Sequence, residues 1–164
     1  MKNKVLLFLM SIFLLAGCAS SLSSSEKGAK QTRIAQQVKE MLEARRYTID
    51  VNYVYPKQMA PRHLSHGYSL RVSGDSVVSY LPFFGRAYRV PYGGGKGLDF
   101  SAPIAAYRVA EGKKGATIVE MAVNTNEDSF VFFIELFSNG QASVNVSARE
   151  RDGISYTGKV QGLE

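Results

Sequence analysis

Beyond residue 46 apolar and polar positions alternate, whereas just ahead of it the apolar spacing is helical. Across residues 26–46, Ile34, Val38, Met41 and Leu42 recur at i, i+4, i+7 and i+8, a narrow apolar stripe that can dock on a sheet. Ser23 followed by Glu26 fits a capping box at the start of that helix. From Tyr47 the period becomes two. Tyr47, Ile49, Val51, Tyr53 and Tyr55 alternate with Thr48, Asp50 and Asn52, so one face of a strand is expected to be buried. Tyr68, Leu70 and Val72 repeat the pattern, and Gly74-Asp75 turns the chain into a partner strand over residues 76–81. Further strands are predicted over residues 104–110, 116–123, 129–137, 141–148 and 154–160, joined by short turns of which Asn139-Gly140 is the clearest.

Eight strands linked mostly by short turns predict a mainly β protein. The expected architecture is an antiparallel up-and-down eight-stranded lipocalin-like barrel, or a strongly curved sheet, with one N-terminal α-helix. Closing the sheet removes its edges. An eight-stranded barrel is just wide enough to be filled by its own side chains or to hold one small ligand, and the pattern leaves both open. Residues 130–137 (FVFFIELF) are apolar on both faces apart from Glu135. The expectation is that the N-terminal helix covers Val131, Phe133 and Phe137 on the outer face. The rival is a protein–protein contact through an exposed patch.

The first eighteen residues change the picture from a fold to an address. Lys2 and Lys4 precede an apolar run over residues 5–15, which is shorter than the roughly 20 residues of a membrane span and suits a secretory signal. It ends in Leu15-Ala16-Gly17-Cys18, which resembles the bacterial lipobox. The predicted organisation is a lipoprotein signal peptide over residues 1–17, a lipidated Cys18 with a Ser-rich tether to residue 25, and a single domain over residues 26–164. Within that domain the helix is expected over residues 26–46 and the barrel over residues 47–160. Cys18 is the only cysteine, so no intrachain disulfide forms and the core alone must hold the domain. The expected location is the cell envelope, lipid-anchored in the outer membrane and facing the periplasm.

Charge adds little. Removing Lys2 and Lys4 from 20 basic residues leaves 18 against 14 acids, a net +4, and these charges are spread along the chain. A nucleic-acid partner would need a concentrated basic face, and none is expected. The basic residues of the helix either touch anionic lipid head groups or form a solvated face.

Candidate chemistry is sparse. His63 and His66 stand at H-x-x-H spacing, but a metal needs three or four ligands and no further histidine or cysteine is free to complete a shell. Gly93-Gly94-Gly95-Lys96-Gly97 lacks the hydroxyl residue that a P-loop places after its lysine. No G-x-S-x-G elbow exists, and nothing singles out a pair among Asp50, Asp99, Glu120 and Glu135 for glycoside chemistry. No enzyme activity, cofactor or metal is expected. Asp75-Ser76-Val77 matches an Asp-Ser/Thr-apolar triplet that some gut bacteria O-glycosylate at the hydroxyl, here Ser76; a turn aspartate accepting a backbone hydrogen bond explains the same letters.

The stretch that stands apart is residues 80–100, YLPFFGRAYRVPYGGGKGLDF. Together with Gly67-Tyr68-Ser69-Leu70, Gly74-Asp75, Val78-Ser79-Tyr80-Leu81-Pro82-Phe83-Phe84-Gly85, Pro91-Tyr92-Gly93-Gly94 and Leu98-Asp99-Phe100, it resembles the small Bacteroidetes lipoproteins grouped as domain of unknown function 4251. The lipobox, the helix and Ile154-Ser155-Tyr156-Thr157-Gly158 fit as well, so the resemblance spans nearly the whole chain. It implies a lipocalin-sized barrel with an N-terminal helix and carries no activity or catalytic residue. Two functions follow. In one, a non-enzymatic envelope protein binds a small or amphipathic anionic ligand at the barrel mouth. There Tyr80, Phe83, Phe84, Tyr88 and Tyr92 would supply stacking surface, and Arg86 and Arg89 the positive charge. In the other, a structural or scaffold lipoprotein has a filled barrel and a protein partner, and the aromatic loop is part of the core.

Overall fold

The computed structural model describes residues 24–65, 67–89 and 95–163. The capping box with its Ser23, the anchor Cys18, His66, Tyr92 and most of the glycine run lie outside these residues. The described chain opens with helix α1 (Ser24–Glu43), followed by β1 (Arg46–Pro56), β2 (Arg62–His63), β3 (Ser69–Ser73) and β4 (Ser76–Leu81). Next come β5 (Leu98–Glu111), β6 (Thr117–Asn124), β7 (Ser129–Leu136), β8 (Gln141–Ala148) and β9 (Ile154–Val160). Every neighbour pairs antiparallel in the order β1-β3-β4-β5-β6-β7-β8-β9, and β9 pairs back onto β1, which closes an eight-stranded barrel. The two-residue β2 is an accessory that pairs only with Tyr53 and Val54 of β1.

The core is the barrel interior. Alternate residues of each strand point inward, and Ile49, Leu70, Val77, Val119, Met121, Phe132, Ile134, Val144 and Tyr156 are completely buried there. On β7 the inward set is Phe130, Phe132, Ile134 and Leu136, each opposite an inward residue of β6 and β8. Phe100 of β5 stacks on Phe130 with ring centroids 5.0 Å apart and meets Phe132 edge-on at 6.3 Å.

Alternation alone misplaces two tyrosines. A bulge between Val51 and Tyr53 inserts an extra residue into β1 and re-phases everything after it. Val54 is therefore fully buried, whereas Tyr53 is half-buried and Tyr55 lies on the outside. Opposite the bulge sits Gly158, where a Cβ would run into the carbonyl oxygen of Asp50. The backbones of β1 and β9 approach this closely only because residue 158 has no side chain.

The helix also does something other than expected. Val38 and Leu42 are almost fully buried and join the barrel core. Gln31 donates to the Ser138 hydroxyl in the β7–β8 turn at 3.3 Å, and Leu42 and Glu43 face residues 109–111 and Thr117 at the β5–β6 connection. From Gln31 onward, α1 thus lies across one end of the barrel rather than over the outer face of β7, where Phe133 is 40 % exposed and Val131 and Phe137 are half-buried. The physical reason is that an open barrel end would leave inward residues such as Leu136 and Val160 wet, and a four-residue apolar stripe suffices to seal it. Two residues past the end of the helix, Arg45 adopts a left-handed φ of 49°. That conformation is costly for a side-chain-bearing residue. It is offset by an ion pair to Asp75 at 2.8 Å and by stacking of the guanidinium 4.7 Å over the Tyr107 ring.

Candidate functional site

The opposite end of the barrel is where the unusual sequence lies. β4 and β5 pair from Leu81 and Leu98, so β5 starts six residues earlier than residue 104, and the described parts of their connection, residues 82–89 and 95–97, form a strap. Leu98 and Phe100 occupy the alternate inward positions that extend the strand. Residues 86–88 of the strap pair with the β8–β9 loop. The Tyr88 amide donates to the Glu150 carbonyl at 2.7 Å, and the Asp152 amide donates to the Arg86 carbonyl at 2.9 Å. Tyr156, from inside the barrel, donates its hydroxyl to the Pro82 carbonyl at 2.8 Å.

Two buried acids organise this end. Asp128 accepts from the backbone amides of Ser129, Arg149 and Glu150 through Oδ1, at 2.8, 3.1 and 3.1 Å. Its Oδ2 accepts from Arg151 Nε at 2.9 Å. Both side chains of that pair are buried, and the Arg151 guanidinium lies 5.4 Å from the ring centroids of both Phe83 and Phe130. The charge is thus enclosed but paired and hydrogen-bonded, the condition under which burial is tolerable. Asp152 accepts from the Tyr88 hydroxyl at 2.5 Å, from the Arg86 amide at 3.1 Å and from Gln58 Nε2 at 3.3 Å. The Tyr88 hydrogen bond, then that of the Arg86 amide, holds the Asp152 carboxyl below its ordinary range, and the same bond raises the Tyr88 phenol.

The strap residues predicted to form a site are only partly gathered. Phe83 and Arg89 line an open cleft of about 270 Å³ with Gly85, Ala87, Gly95, Lys96, Gly97 and Arg151. Phe84 is half-buried beneath the Arg62 guanidinium, 4.6 Å from its ring centroid. Tyr88 is 64 % exposed, with its hydroxyl committed to Asp152, and Arg86 is exposed. Tyr80 belongs elsewhere, on the outer face of β4, where it stacks on Tyr68 at 5.3 Å. Arg151, Asp128 and Asp152 did not stand out in the sequence, and Lys96 did so only in the glycine run that lacks the P-loop hydroxyl residue. Arg151-Asp152-Gly153 reads as an ordinary turn, and only closure of the barrel brings it against the strap.

The remaining candidates stay apart. Ser76 is exposed at the start of β4, and the neighbouring Asp75 pairs with Arg45. His63 is exposed on β2 beside the edge of Tyr53. Asp50, Asp99, Glu120 and Glu135 stand on four different strands, and the Asp50 carboxylate is bridged by Gln161 Nε2 at 2.6 and 2.7 Å. Among the described residues no group of three or more histidines, cysteines or carboxylates converges as a metal site.

Comparison with known proteins places this architecture. No curated protein matches the chain in sequence. A solved structure of a DUF4251 family protein from Bacteroides eggerthii shares the fold, with a TM-score of 0.59 at 13 % identity over 77 % of this chain and 86 % of that one. The family model for the domain of unknown function DUF4251 matches residues 29–160, which takes in most of α1 and the entire barrel. The chain belongs to the DUF4251 family.

Proposed function

We propose that this protein is a lipid-anchored, non-enzymatic scaffold of the cell envelope, facing the periplasm from the outer membrane, which works through its outside rather than through a lumen. The observation that carries this reading is the packing of the barrel interior. A side chain bordering a space large enough for one water molecule would retain some accessible surface, and Met121, Phe132, Ile134 and Tyr156 retain none. An apolar ligand tail would have to displace them from a core packed to crystalline density. The expected partner is therefore a protein or an exposed head group of another envelope component. Native mass spectrometry of the full chain released from detergent tests the filled interior. The expected spectrum is the lipidated chain alone, and a retained stoichiometric amphiphile would overturn the reading. Anchoring rests on Leu15-Ala16-Gly17-Cys18. Cys18→Ala is expected to move the protein out of the membrane fraction, and unchanged fractionation would refute the anchor.

A further inference from the structure

We propose that the cleft beside the strap is a binding site for a phosphate-bearing group, a phosphomonoester or pyrophosphate carried by a larger envelope molecule. This deepens the scaffold reading by naming the place on the outside that works. Among the described residues the cleft is lined by three cations, Arg89, Lys96 and Arg151, and by no acid; Glu127 stands just behind it and accepts from the Lys96 amide at 3.3 Å. Arg151 is already paired with Asp128 at 2.9 Å and has Glu127 at 3.8 Å. Arg89 and Lys96 are different: both are exposed, and among the described residues no carboxylate lies within ion-pair reach of either side chain. With Asp128 and Glu127 set against the three cations the surface keeps a net positive charge, and two side chains without an ion-pair partner on one concave surface suit the several oxygens of a phosphate group better than a single carboxylate.

The walls suit a compact anion. Gly85, Gly95 and Gly97 keep the surface low and leave backbone accessible. Gly97 has a φ of 68°, and a Cβ there would press on Phe83 at 3.3 Å and crowd Arg151 Nη1 at 3.7 Å. The volume, about 270 Å³, falls below the roughly 300–1,000 Å³ typical of drug-sized ligands and fits a head group with little beyond it. Arg151 contributes rigidity. Clamped by Asp128 and held between Phe83 and Phe130, it fixes the floor of the cleft, so an arriving anion need not order it.

The test is titration of the full chain in non-ionic detergent with inorganic pyrophosphate, followed by calorimetry. Saturable binding is expected, weakened about tenfold by Arg89→Ala and by Lys96→Ala, since each removes one charge-assisted contact. Arg71→Ala, on the outer face of β3, should leave it unchanged. Both cleft variants alter exposed side chains, and unchanged thermal melts would certify their folds. A second arm uses vesicles of phosphatidic acid, whose head is a phosphomonoester, or of phosphatidylcholine. Recruitment to the anionic vesicles that depends on Arg89 and Lys96 identifies the group as a lipid head. Pyrophosphate binding without such recruitment identifies a soluble or polymer-borne phosphate. Absence of saturable binding, or equal weakening by Arg71→Ala, would overturn the site. The filled barrel would still stand, because it is tested by the absence of a retained amphiphile.

Discussion

Replacing Phe132 with alanine is the most direct probe of the filled interior. Phe132 has no exposed surface and sits between Met121 of β6 and Val146 of β8, with Phe100 and Phe130 against its ring. Losing the burial of the ring costs about 2–3 kcal/mol in transfer free energy. The space left behind raises the total for a buried Phe→Ala change to about 3–5 kcal/mol, depending on how far the surroundings collapse. Here collapse is restricted, because β7 is hydrogen-bonded along its whole length on both sides and its neighbours cannot slide inward without breaking register. The upper part of that range, about 4–5 kcal/mol, is therefore expected. In thermal melts of a domain this size that is a drop of about 10–20 °C. The variant should also gain what the wild type lacks, an apolar hole that takes up benzene or xenon and is partly rescued by it. A loss under about 2 kcal/mol, with wild type and variant binding benzene equally, would mean that the lumen was already open, and the scaffold reading would fail.

Three further outcomes follow from the same geometry. Gly158→Ala drives a methyl group into the Asp50 carbonyl at the β1–β9 seam, and urea melts should show a loss of at least about 2 kcal/mol; Gly153→Ala, whose Cβ would sit 3.4 Å from the Val146 carbonyl, should be tolerated. Asp128→Asn strands the buried Arg151 charge and should cost about 3–5 kcal/mol, whereas Asp128→Asn combined with Arg151→Met should cost less than the two single changes summed; additivity would show the pair to be uncoupled. The Asp152 carboxyl titrates below its unfolded value, so its contribution is complete above about pH 4 and disappears as pH falls through the lowered value. Hydrogen exchange at the Tyr88 and Asp152 amides should accelerate in that acid window, and Tyr88→Phe should move the onset to higher pH.

The alternation of residues from Tyr47 onward contained the eight strands, apart from the first six residues of β5, and their order wherever short turns force consecutive strands to be neighbours. The i, i+4, i+7, i+8 stripe contained the helix and its buried face. The partner of that face was not contained in it. The stripe states that Val38 and Leu42 must be covered, and a barrel end and an outer sheet face are equally apolar until closure decides which one exists. The β1 bulge was hidden for a related reason. Tyr47, Ile49, Val51, Tyr53 and Tyr55 alternate without fault, and only the close approach of Gly158 to Asp50 in the folded barrel shifts Tyr53 and Tyr55 outward. In residues 80–100 the composition marked an end of the barrel and named Phe83 and Arg89. Arg151 completes the cleft from 68 positions beyond Phe83, and Asp128 reaches Arg151 across 23. Local pattern determines what each segment must bury, and it does so one residue at a time. Which charges meet is set by the ring of hydrogen bonds that brings β9 back to β1, and that ring exists only in the tertiary structure.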